Sequence, residues 1–140
     1  GGWLAASQTT ASLVSWVGAG GAQHFATGTS APCLSAFKPV RVGAPIGVES
    51  AALWRAFEGI HRRAMRSPDA LPRAWFDERD ALESAALAAP SADPAPHWRA
   101  VGALVGRWNA TLDATPPRDA RPAWLRRWWA PRDEEFGREG

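Results

Sequence analysis

The stretch 9–40, TTASLVSWVGAGGAQHFATGTSAPCLSAFKPV, decides the fold class. From 7 to 17 the residues are small, β-branched and aromatic with partial alternation, the signature of a strand. GAGG at 18–21 interrupts with turn chemistry, and AQHFAT at 22–27 reads as the return strand of a hairpin. TGTSAP at 27–32 is a connection punctuated by glycine and proline. CLSAFKPVRV at 33–42 then makes a third strand, with Leu34, Ala36 and Lys38 pointing one way and Ser35 and Phe37 the other. Pro39 within that run argues for a strand end, an edge or a bulge.

Beyond GAPIG the period changes from two to nearly four. In ESAALWRAFEGIHRRAMRS (49–67) the apolar positions Leu53, Trp54, Phe57, Ile60, Ala64 and Met65 follow helical spacing, with Arg55, Glu58, Arg62 and Arg63 on the other face. Pro68 ends that helix. A second helix is expected over 71–87, where Asp77, Glu78, Arg79, Asp80 and Glu83 alternate in sign along an exposed face. After AAPSADPAP, a third runs over 97–112 with one continuous stripe of Trp98, Val101, Leu104, Val105, Trp108 and Leu112. DATPPRDARP stops it, and AWLRRWWAPRDEEFGREG reads as a short amphipathic turn or two before a charged tail. The organisation is therefore strands over 1–45 and a helical region over 46–140 packed on them, an α+β chain with antiparallel strands followed by about three helices.

At 140 residues and 46% hydrophobic content the chain can bury one real core. No apolar run reaches the ~18 residues of a membrane span. One cysteine leaves no internal disulfide framework and none of the repeated spacings that hold zinc. The N-terminus has no signal-peptide pattern, so a cytoplasmic home is expected. A net charge of +2 is too small to imply a nucleic-acid partner. Charge is also unevenly placed, since residues 1–50 carry only Lys38, Arg41 and Glu49. That split fits an apolar β part followed by a solvated helical part.

Several residues invite chemistry. Ser12, Ser15 and His24 could be arranged with an acid as a triad, but no G-x-S-x-G elbow fixes a serine, and ordinary strand residues are the expected reading. His24, His61 and His97 each lack a second ligand three or four residues away, so no metal is expected. His61, beside the apolar stripe of its helix, reads as a hydrogen-bonded boundary residue. Lys38 is the only lysine, and on a strand between Phe37 and Pro39 it either pairs with a buried group or lines a pocket for an acidic one. Thr27, Gly28 and Thr29 offer hydroxyls and backbone donors in a loop that could hold a substrate carboxylate; the alternative is a plain turn. RPAWLRRWWAPR (121–132) combines four arginines with three tryptophans, which could suit single-stranded nucleic acid or a membrane surface. DEE follows directly, and the tryptophans are expected to dock on the protein instead.

The order TTASLVSWV (9–17), HFATGT (24–29) and SAFKPV (35–40), ahead of LWRAFEGIHRR (53–63), resembles the C-terminal part of peptidase family C69, the dipeptidase A and secernin-like proteins. The most specific features are the TTAS strand opening and the TGT that precedes FKP with a proline between. The resemblance implies an N-terminal nucleophile hydrolase, a four-layer α/β/β/α sandwich that cleaves amide bonds. In that family the first mature residue is a cysteine whose side chain attacks the amide while its own α-amino group acts as base. This chain begins with glycine, and Cys33 lies inside the motif that matches the family's last strands, so Cys33 is expected to be a bystander. The resemblance thus implies the C-terminal portion of a cysteine dipeptidase or amidohydrolase that lacks its nucleophile and is inactive alone. It would need the missing N-terminal portion, act on dipeptides or small amides, use no cofactor and be able to form homo-oligomers. Thr27, Gly28, Thr29 and Lys38 are its candidate substrate-binding residues. The alternative is a secernin-like protein without hydrolysis or a small α+β interaction module that binds through its Trp-rich helices.

Overall fold

The computed structural model describes residues 10–19, 21–43, 51–89, 93–115 and 118–138. Three strands, β1 (Leu13–Gly18), β2 (Gly21–Ala26) and β3 (Lys38–Val40), precede four helices, α1 (Ala51–Arg66), α2 (Arg73–Ala88), α3 (Ala95–Asp113) and α4 (Ala123–Arg138). A single 3-10 turn, Pro68–Ala70, joins α1 to α2. The chain is α+β, with strands before helices as the change of period requires. None of the described helices is long and apolar enough to cross a membrane.

The sheet is a meander in the order β1-β2-β3, antiparallel throughout. The hairpin closes at Gly18 opposite Gly21, and Gly21 has φ of +114°, which side-chain-bearing residues rarely adopt. Ser15 faces His24, and His24 faces Val40. The Thr27 amide donates to the Ser12 carbonyl at 3.0 Å. By the alternation of an antiparallel ladder, the backbone groups of 12, 14 and 16 therefore turn toward β2, and those of 13, 15 and 17 turn away from it.

The two edges of this sheet are treated differently. On the outer edge of β3, the Phe37 amide donates to Glu83 Oε1 of α2 at 2.8 Å. His97 Nε2 donates to the Phe37 carbonyl at 3.1 Å, and Trp98 Nε1 donates to the Pro39 carbonyl at 3.1 Å. Pro39 has no amide hydrogen to leave unpaired. Side chains of α2 and α3 thus occupy the positions a fourth strand would take. On β1, by contrast, all six residues are exposed, and no described strand pairs with its outer edge.

The core lies among α1, α2 and α3. The apolar stripe of α3 buries Trp98, Val101, Leu104, Val105, Trp108 and Leu112, the same six residues its spacing selects. Phe57 and Ile60 of α1 and Trp75 of α2 complete it, with Trp75 stacked on Trp108 at 5.0 Å between centroids and 4° between planes. Gly59 lets α1 approach α3, since a Cβ there would stand 3.0 Å from Asn109 Oδ1. Asn109 Nδ2 uses the proximity to donate to the Ala56 carbonyl at 2.9 Å.

Several expectations are corrected. The third strand is only three residues long, because Ala31 accepts from the Leu34 and Ser35 amides and turns 31–35 into a compact loop. The described residues form four helices, and α4 runs sixteen residues through the supposed charged tail. Its length is supported from α1, where Arg62 and Arg66 each meet Asp133 at 3.0 Å and Arg55 donates to the Phe136 carbonyl at 2.7 Å. The charged face of α1 is accordingly an inter-helix surface, and Glu58 upon it is buried. The strand expected at 7–17 lies in part outside the described residues.

Candidate functional site

The sole lysine has no accessible surface. The β3 residue Lys38 shares a face with Ala26, its partner on β2, and its Nζ reaches the end of the sheet where the chain leaves β2. There it donates to the carbonyls of Thr27 and, at 3.0 Å, of Ala36. The ammonium stands 5.4 Å from the Trp98 ring centroid and 5.7 Å from that of Phe57, so ring faces of α3 and α1 also lie against it. A charge buried this deeply is costly unless protein groups replace its water, and the two carbonyls and two rings contribute to that.

The loop it pins is polar and tightly bonded. Thr27 Oγ1 accepts from the Ser12 amide at 2.9 Å, and Thr29 Oγ1 donates to the Thr27 carbonyl at 3.2 Å and shares a second hydrogen bond with Ser35 Oγ. Gly28 has φ of +54° and Ala31 of +48°, so two of five consecutive residues from 27 to 31 are left-handed. For Ala31 that conformation costs about 1–2 kcal/mol, offset here by the two amides its carbonyl accepts.

Next to this loop lies a carboxylate and imidazole pair that the sequence reading missed. Ser30 Oγ donates to Glu58 Oε2, His61 Nδ1 donates to the same oxygen at 3.2 Å, and Arg62 Nε donates to Glu58 Oε1 at 2.7 Å. Burial by itself raises the Glu58 pKa, but the hydrogen bonds from His61, Ser30 and Arg62 outweigh it and hold the carboxyl below its ordinary value of 4.5. Serine, imidazole and carboxylate meet here, with Ser30 Oγ 3.4 Å and Glu58 Oε2 3.2 Å from the same ring nitrogen, Nδ1 of His61. A nucleophile relay needs the two ring nitrogens in separate roles. The cluster ties the 27–31 loop to α1.

A second region is concave. A cleft of about 780 Å³ lies between β2 and β3, the end of α2 and the start of α3, with Leu82, Ala85, Ala86 and Ala100 among its walls and His24, Arg41, Asp93 and His97 among its polar groups. Its space comes from alanine and proline where larger side chains would close it. None of Thr27, Gly28, Thr29 or Lys38 lines it. His24 Nδ1 shares a 2.8 Å hydrogen bond with Ser15 Oγ across the β1–β2 pair. Among the described residues no carboxylate joins that pair, and Ser12 uses its amide on Thr27.

The structure therefore brings Thr27, Thr29 and Lys38 together in one buried polar cluster, with half-buried Gly28 at its surface. Cys33 is exposed, and its carbonyl rather than its sulfur is engaged, accepting from Arg79 at 2.8 Å. His61 is the hydrogen-bonded boundary residue its position suggests. Among the described residues no group of three or more His, Cys, Asp or Glu side chains could hold a metal. Of the tryptophans in the Arg/Trp segment, Trp129 lies near Arg62 of α1, whereas Trp124 and Trp128 stay exposed. Compared with protein-family models, with curated proteins and with solved structures, the chain matches none. What these groups do chemically is hold a loop against a sheet end; the hydroxyls, the carboxylate and the imidazole meet one another.

Proposed function

We propose that this chain is the C-terminal portion of a cysteine N-terminal nucleophile hydrolase of the dipeptidase A type, acting in complete form on dipeptides or small amides. The observation that carries the reading is β1. Leu13, Val14, Trp16 and Val17 are residues of a sandwich interior, yet all four are more than half exposed on a strand whose neighbour β2 runs into a packed domain. Leu13 and Val17 lie on one face of the strand and Val14 and Trp16 on the other, so a second sheet over one face and a helical layer over the other would cover them, which is the arrangement an α/β/β/α sandwich supplies. The three motifs support the same reading, since their strand residues, 13–17, 24–26 and 38–40, follow one another in one antiparallel meander.

In such a hydrolase the loop of Thr27, Gly28 and Thr29 serves as a rigid wall of the substrate site. Lys38 fixes that wall from behind, and the Gly28 backbone is presented to a substrate carboxylate. The nucleophile and base come from a mature N-terminal cysteine, and Cys33 takes no part. The isolated chain is accordingly inactive.

The test is to sequence the source DNA upstream of Gly1. An in-frame extension that opens on a cysteine after the initiator or a processing site supports the proposal, and Cys→Ala there must abolish dipeptide cleavage by the long form. A stop or start codon immediately upstream would defeat it. Turnover of dipeptides by the 140-residue chain itself would contradict the predicted inactivity.

A further inference from the structure

The contrast between the two sheet edges points to an interaction surface. The outer edge of β3 is occupied by Glu83, His97 and Trp98, but among the described residues none of the devices that keep strands apart is found at the outer edge of β1. Its residues LVSWVG include no charge and no proline. The backbone groups of Leu13, Ser15 and Val17 point outward, and both faces of β1 are exposed, so the strand itself is open to an edge-on approach.

We infer that this edge binds a second copy of the chain, β1 against β1, antiparallel across a two-fold axis at Ser15. The strand is self-complementary in that register. Ser15 faces its own copy, Leu13 faces the partner's Val17, and Val14 faces the partner's Trp16, so every apolar residue meets an apolar residue. The residues placed in hydrogen-bonded pairs are 13, 15 and 17, those whose amides and carbonyls already point outward, giving about six inter-chain hydrogen bonds at two per pair. An interface in which one patch meets itself is closed, and the two sheets become one of six strands. A shift of one residue would present inward-turned backbone groups to the partner, and a shift of two would leave Leu13 or Val17 paired beyond the strand, so this register pairs the most outward groups. This surface is separate from the one the proposed function uses, since a sandwich layer covers a face of the hairpin and self-pairing uses its edge.

Sedimentation velocity of the 140-residue chain over a hundredfold range of concentration tests the inference, with three variants. Ser15→Pro removes the outward amide at the axis while leaving the backbone ladder to β2, though it also deletes the Ser15 Oγ bond to His24, and is expected to weaken association at least tenfold. Leu13→Lys is expected to weaken it as well, and Leu13→Lys combined with Val17→Glu to restore it, because the new ammonium of each copy faces the new carboxylate of the other. The charge pair keeps the test decisive if Ser15→Pro does not fold. A monomer at every concentration, a dimer indifferent to all three variants, or species that grow past the dimer would each overturn the inference. So would a monomer whose β1 amides gain exchange protection only when the upstream hydrolase portion is added, which would assign the edge to that portion.

Discussion

Lys38 and Glu58 are the two charged side chains whose replacement tests most about the packing. Lys38→Met keeps most of the volume but strips the donor from the carbonyls of Thr27 and Ala36, and a loss of about 1–3 kcal/mol is expected in urea unfolding. A loss near zero would mean that those carbonyls find other donors. Glu58 governs a pH dependence. Its folded pKa lies below the ordinary 4.5, so its contribution is complete above that value and is lost as the pH falls through it toward the folded pKa. Asp133 acts in the same direction, burial raising its pKa and the hydrogen bonds of Arg66 and Arg121 bringing it below the ordinary 3.8. The urea midpoint is therefore expected to fall between about pH 5 and 3, and Glu58→Gln to be less stable at neutral pH yet lose less over that window. Equal slopes for both proteins would remove Glu58 from the account. That Lys38 is singular was legible, because one lysine beside Phe37 and Pro39 stands out. The burial of Glu58 was not, since helical period assigns a face without saying whether water or another helix lies beyond it.

At the scale of elements, α3 was read correctly because one stripe of six apolar residues leaves a single way to pack it. In contrast, α4 escaped the reading. Its short-range pattern is weak, and what stabilises it is distant in sequence: Asp133 receives Arg62 and Arg66 of α1 and Arg121, whose Nη2 lies 3.2 Å away. Pro131 within the helix makes that outside support more necessary, because it removes one helical hydrogen bond. Asp133→Asn is expected to loosen α4 specifically, costing about 1–2 kcal/mol and raising amide exchange there before the rest of the chain. Uniform exchange across all helices would contradict that. The Trp75–Trp108 pair offers a second test, since Trp108 Nε1 is buried with no hydrogen-bond partner among the described residues. Trp108→Phe loses contact area but also removes an unsatisfied donor, so it is expected to cost about 1–2 kcal/mol, well below the ~3–5 of Trp108→Ala.

For the whole molecule, the order of strands before helices was legible from the change of hydrophobic period, and so was the α+β class. Which edge of the sheet would be covered was not, because Glu83, His97 and Trp98 reach Phe37 and Pro39 from far along the chain. Opening that cover has a definite expected effect. Glu83→Ala combined with His97→Ala frees both backbone groups of Phe37, and light scattering is expected to show species larger than those of the parent chain. An unchanged mass would mean that Pro39 and Trp98 suffice to keep the edge shut. The asymmetry has a counterpart in polymer chemistry. A monomer with two reactive ends grows without limit, whereas one with a single reactive end couples once and stops. Three side chains on two helices turn a strand-bearing molecule from the first kind into the second, so the same sheet that can join a neighbour cannot seed a fibre.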